Sequence, residues 1–244
     1  MIIVHPDFYG NHDRARGLTN RHRILMWLGT WRYSTIPVMR ELVGSKSPFY
    51  RALRSLESDE LIYSAKLENF ISGGNYYALT RKGHKILEYN AREPGPFYEG
   101  IPGAQMIHDM KVQIIALNYI DGPFDMIFAD FRSRFQPDFS VCGPGGLVSV
   151  EYERSRKSIN RVYYNFRTRY LEAAERSAVQ YHWYFEHKRD LDWYRGLFDQ
   201  KFWPVIEKSE HDTCFDTCRE FRPDTTGSRD CFRFFLRKED APDI

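Results

Sequence analysis

Residues 91–104 (Ala-Arg-Glu-Pro-Gly-Pro-Phe-Tyr-Glu-Gly-Ile-Pro-Gly-Ala) carry three prolines and three glycines. Proline locks φ and lacks an amide donor, and glycine costs the most entropy to order, so neither a helix nor a strand continues through such a stretch. The chain of 244 residues is therefore expected to divide into an N-terminal tail (1–18), a first domain (19–90), a linker (91–104) and a second domain (105–244). Its hydrophobic fraction of 42%, with 18 Phe, 16 Tyr and 5 Trp, supplies a core and excludes a disordered chain.

In the first domain, residues 20–31 read as an amphipathic helix with Asn20 as cap and Ile24, Leu25 and Leu28 on one face. A second helix is expected after Thr35, with Pro37 in its first turn and Gly44 at its end. For a third, Ser47 serves as cap and Pro48 as first helical residue, and Tyr50, Leu53 and Leu56 follow at helical spacing. Residues 61–67 and 76–79 alternate around a Gly73-Gly74-Asn75 turn and predict a hairpin, after which Thr80 caps a fourth helix. Three helices, a hairpin and a closing helix resemble a winged helix-turn-helix, and Tyr77-Ala-Leu-Thr-Arg-Lys-Gly83 looks like its wing-to-helix transition. That likeness implies that the third helix enters the DNA major groove with Lys46, Tyr50, Arg51 and Arg54 nearest the DNA.

The second domain opens with a helix over 105–120. Strands are expected near 126–131, 133–141 and 147–153, the last two joined by Cys142-Gly-Pro-Gly-Gly146. A long helix follows over 158–177, then a strand at 179–185, a short helix near 191–199 and a strand at 231–236, which makes a mixed α+β or α/β domain. Alternation along the strand puts Glu151 and Glu153 on one face, and the short turn lets Asp138 lie beside them. Asp138 and Glu151 are the oxygen ligands that a magnesium or manganese ion takes, with water and phosphate completing its shell. Such an ion polarises a phosphodiester and lowers the pKa of an attacking water. Salt bridges to neighbouring arginines are the structural alternative for each carboxylate.

Pro137-Asp138, a hairpin, then Glu151 resembles the restriction-endonuclease-like signature of Pro-Asp and Glu-x-Lys. Glu153 stands where that signature has lysine. In some branches the cation migrates to the next helix, which makes Lys157 the first candidate and Arg161 the second. Over almost the whole chain, the N-terminal pattern, His108-Asp109, Pro137-Asp138 and Glu151-x-Glu153 resemble the MobC-type relaxases of mobilisable plasmids and, more distantly, the replication-relaxation proteins. The resemblance implies a site- and strand-specific nick at a plasmid transfer origin, an accessory mobilisation or coupling protein as partner, and His108 near the metal. Tyr163 and Tyr164 are the candidate nucleophiles should the nick leave a covalent protein–DNA link, though tyrosines there also suit a core.

The net charge of +2 conceals two basic stretches. Between Arg14 and Arg54 nine Lys or Arg face one acid, Glu41, and from Glu151 to Tyr170 six basic residues face two acids. Two such stretches suit a polyanion gripped at two points. No apolar run is long enough to span a membrane. Four cysteines do not make a disulfide framework in a chain of this size, so a reducing cytoplasm is the expected compartment and free thiols are favoured over a zinc site of His211, Cys214, Cys218 and Cys231. Two other functions remain open: a non-enzymatic winged-helix regulator or replication accessory protein, and a restriction- or transposition-type nuclease that cuts both strands.

Overall fold

The computed structural model describes residues 13–66, 74–90, 97, 103, 105–120, 126–128, 137–143, 146–175, 179–208, 215–223 and 228–237. The chain is mixed α+β and divides into two compact units, Met1–Pro144 with Ala241–Ile244, and Gly145–Asp240. Of the expected linker 91–104, all but Phe97 and Gly103 lies outside the described residues, as do residues 1–12 of the expected tail.

The first unit begins with α1 (Asp13–Trp31), which starts seven residues before the expected span, so that Asn20 sits inside the helix. Arg14, Ala15, Arg16 and Leu18 are all good helix formers, and they carry the helix upstream of the apolar face. β1 (Tyr33–Thr35) follows, and α2 (Ile36–Val43) is capped at Thr35 and closed by Gly44 at φ +72°, as the Pro37 and Gly44 positions predict. The α3 cap is a correction. α3 spans Lys46–Ser58 with Ser45 as its cap residue, two positions before the expected Ser47, and Pro48 lies within the first turn. Proline is tolerated there because the first-turn amides have no intrahelical acceptor.

β2 (Ile62–Lys66) and β3 (Asn75–Leu79) pair antiparallel from Ile62 opposite Leu79 to Lys66 opposite Asn75, and β1 pairs the other edge of β3. Thr80 caps α4 (Arg81–Asn90) as expected: its hydroxyl accepts the Gly83 amide at 3.1 Å and donates to the Glu60 carbonyl at 2.6 Å. Gly83 itself is demanded by packing, because a Cβ there would lie 2.0 Å from the Leu61 carbonyl oxygen.

α5 (Met106–Ile120) is tied to this module through the buried side chain of Gln113. Its carbonyl oxygen accepts from Trp27 Nε1 at 3.0 Å and from Ser34 Oγ at 2.7 Å, and its amide donates to the Tyr33 carbonyl at 2.9 Å. Every polar atom of that glutamine is thus used, which is the condition for burying it. β4 (Met126–Phe128) and β5 (Phe139–Gly143) pair antiparallel and complete the unit.

In the second unit, β6 (Gly146–Glu153) crosses through α6 (Ile159–Glu175) to the parallel strand β7 (Val179–Phe185). α7 (Lys188–Phe198) and the antiparallel pair β8 (Trp203–Lys208) and β9 (Phe215–Phe221) follow. After a 3-10 turn at Ser228–Cys231, β10 (Phe232–Leu236) pairs parallel with the far edge of β7. Phe166 of α6 is fully buried at the centre of the core, its ring 5.1 Å from Trp183, 5.3 Å from Phe198 and 5.5 Å from Trp203. Aromatic contacts of this kind stabilise beyond their buried area.

Candidate functional site

The parallel register sets Glu151 opposite Trp183 and Glu153 opposite Phe185, so both carboxylates point to the side of β6 where the α6–α7 core lies. Only 4% of the Glu153 side chain and 13% of the Glu151 side chain are exposed. An ionised carboxylate at that depth requires a partner.

Lys157 supplies it. Beyond β6 the chain turns back, held by Arg156, whose Nε donates to the buried Asp190 at 2.6 Å and whose guanidinium lies 5.3 Å from the Trp193 ring. The Lys157 amide donates to the Tyr194 hydroxyl at 3.4 Å. The ammonium thereby meets Glu153 in an ion pair and stands 4.0 Å from Glu151 Oε2. Burial on its own lowers the Lys157 pKa, but the charges of Glu153 and Glu151 more than reverse this and hold it above its ordinary value. Burial, with the nearby Glu153 charge, pushes the Tyr194 hydroxyl up.

Arg169 is a site residue that the local sequence pattern does not mark. From α6, its Nε and Nη2 each lie 3.2 Å from Glu151 Oε1, its Nη1 lies 3.1 Å from Glu172, and its guanidinium lies 5.6 Å from the Tyr181 ring. Its pKa, lowered by burial, is raised overall by Glu151 and Glu172. The signal for it was topological, since a helix crossing from β6 to β7 must run back along β6.

In the first unit, Asp138 immediately precedes β5, and its Oδ1 lies 3.6 Å from His108 Nε2. The other ring nitrogen of His108 is 3.5 Å from Asp109 Oδ1, and Asp109 accepts a hydrogen bond from the Tyr33 hydroxyl. His108 is thus flanked by two carboxylates, one of them anchored to β1. Asp138 belongs to the first unit and Glu151, Glu153 and Lys157 to the second.

Along α3, Lys46, Arg51 and Arg54 are exposed and Tyr50 is half-buried, while Phe49, Ala52, Leu53 and Leu56 face the core. Positions 46, 50 and 54 recur every four residues and make one solvent-facing stripe. On α6, Arg161 is exposed and Tyr164 half-buried. Tyr163 is buried, its hydroxyl lies 2.5 Å from Gln200 Oε1, and burial raises its pKa. Cys231 and Cys142 are free thiols, whereas His211 and Cys214 and the side chain of Cys218 lie outside the described residues.

Among the described residues no group of three or more His, Cys, Asp or Glu is arranged to hold a metal ion. Magnesium needs less, because one or two carboxylates with water and phosphate suffice. At Glu151, Arg169 engages Oε1 and the Lys157 ammonium stands 4.0 Å from Oε2. Among the described residues no helix is long and apolar enough to cross a membrane. No protein-family model, curated protein or solved structure matches the chain.

Proposed function

We propose that the chain is a metal-dependent DNA endonuclease that nicks one strand at a plasmid transfer origin, as a MobC-type relaxase with a winged-helix N-terminus and a restriction-endonuclease-like remainder. The observation that carries this reading is the ammonium of Lys157 beside Glu153 and Glu151 at the end of β6. A carboxylate with a neighbouring lysine is the chemistry of the Glu-x-Lys signature, and here the lysine comes from four residues after Glu153 rather than two after Glu151.

In this reading Glu151 holds Mg2+ or Mn2+, with Asp138 the second ligand that the Pro-Asp and Glu-x-Lys likeness implies, and the ion when bound polarises the scissile phosphate and acidifies an attacking water. Lys157 offsets the charge that builds on the phosphate oxygens, and Glu153 holds Lys157 in place. Arg169 orients Glu151 through two N–H groups on one oxygen, leaving the other carboxylate oxygen for an ion. The exposed Lys46, Arg51 and Arg54, with the half-buried Tyr50 between them, support DNA recognition by α3. DNA with a transfer origin and an accessory mobilisation protein are the partners this implies, and a cytoplasmic location is the compartment.

A second reading draws on the same cluster. Glu151 and Glu153 are both charge-compensated by Arg169 and Lys157, as a structural ion-pair network in a non-enzymatic winged-helix regulator would be. Supercoiled plasmid with and without a transfer origin, incubated in Mg2+ or Mn2+ beside Asp138→Ala, separates the two. Origin-dependent open circles that the variant does not make support the relaxase. Linear product without origin dependence points to a nuclease that cuts both strands, and binding without cleavage in both proteins points to the regulator.

A further inference from the structure

Strands β6, β7 and β10 run parallel, and one register row ends all three: Glu153, Phe185 and Leu236 lie side by side. The segments that leave this row stay together, since the Glu186 amide donates to the Glu153 carbonyl at 3.2 Å and the Arg237 amide to the Phe185 carbonyl at 2.9 Å. Arg156 closes the group by donating to the Arg189 carbonyl at 3.2 Å. The carboxyl edge of the sheet therefore gathers Arg154, Arg156, Arg161, Lys188 and Arg189 on one rim, and all five are exposed.

Among the described residues, the acids on this rim do not balance these charges. Glu186 is taken by the Tyr152 hydroxyl and Arg237, Asp192 by Lys188, and the buried Asp190 by Arg156. Arg189, 80% exposed, is left 3.8 Å from that already occupied Asp190, and Arg154 and Arg161 make no ion pair among the described residues. Like charges crowded at a surface repel and weaken folding, so a surplus kept at one edge is explained by an anionic ligand. Arginine forks match phosphate oxygens in particular.

We propose that this rim is a second contact surface for the DNA sugar–phosphate backbone, separate from α3 and contributing to affinity but not to sequence choice. It rests on the reading of the chain as a DNA-binding protein and not on the nicking activity. Phosphate contacts of this type position the duplex and release counterions, so they appear as salt dependence.

The test is fluorescence anisotropy of the full chain on a labelled duplex across a salt series. It compares wild type, the rim variant Arg154→Gln/Lys188→Gln/Arg189→Gln, and the helix variant Arg51→Gln/Arg54→Gln. The rim variant is expected to bind about tenfold more weakly at 100 mM salt and to lower the slope of log K against log salt by about 2 to 3. The loss should be equal on specific and unrelated duplexes, and a single Arg189→Glu should show it in the same direction. A rim variant with wild-type affinity and slope, beside a weakened helix variant, would overturn the rim while leaving DNA binding by α3 in place. No DNA binding by wild type at low salt would overturn both. Rim-dependent binding without any nicking would uphold the surface and count against the enzyme.

Discussion

The ammonium of Lys157 forms an ion pair with the carboxylate of Glu153, a side chain only 4% exposed. Removing one partner leaves the other charge buried and unpaired. Lys157→Met is therefore expected to cost about 2–4 kcal/mol, and the double change Glu153→Gln/Lys157→Met to recover most of it. Urea unfolding of the three proteins checks this. Because the Lys157 pKa is raised in the fold, the pair stabilises fully below pH 10.5 and that contribution fades as the pH climbs through the folded value.

His182 lies on β7 with its ring 5.2 Å from that of Phe235, and burial, reinforced by Arg233, lowers its pKa from 6.5 to about 4. The unfolded chain then takes up a proton that the folded chain refuses. Stability should accordingly be full above pH 6.5 and fall between 6.5 and about 4, by up to about 2 kcal/mol once solvent at its exposed edge is allowed for. His182→Phe should flatten that part of the stability–pH curve, and an unchanged slope would count against the assignment.

Gly83 leaves no room for a side chain, since a Cβ would sit 2.0 Å from the backbone oxygen of Leu61. Gly83→Ala should therefore push α4 away from the start of β2 and cost about 2–3 kcal/mol, against the usual gain from alanine in a helix. A thermal midpoint equal to or above that of wild type would show that the close approach is not maintained in solution.

Arg51 and Arg54 lie on the exposed side of α3. Replacing either by alanine should weaken binding to the specific DNA and reduce the salt slope by about 1, with little change in stability. Competition against unrelated duplex tells base reading from phosphate contact: a base-reading arginine loses discrimination, whereas a phosphate contact loses affinity alone.

Much of the first unit was legible because its signals are local. Pro37 with Gly44, the alternating hairpin strands and the Thr80 hydroxyl each act within a few residues of where they stand. The strand β7 was equally plain, with alternate residues buried from Val179 to Phe185. β1 is three residues long and too short to show a period. β8 and β9 were missed for a different reason, since Pro204 interrupts the first and charged residues the second, and a register shift at Val205/Ile206 breaks the pairing pattern. At the candidate site the carboxylates and Lys157 were visible as residue types. The partners Arg169 of Glu151 and Tyr33 of Asp109 were not, because each of these contacts is made across elements and is fixed by packing rather than by spacing.

In the proposed function the carboxylates of β6 and the neighbouring Lys157 serve a metal-dependent nick. The most direct test is the single-turnover rate of open-circle formation from supercoiled origin plasmid in Mg2+ or Mn2+, for wild type and the folded double variant Glu153→Gln/Lys157→Met. Metal-dependent nicking by wild type that falls at least about 100-fold in the variant, with DNA affinity retained, is the expected result. Equal nicking by both proteins, or no metal-dependent nicking by wild type, would contradict it.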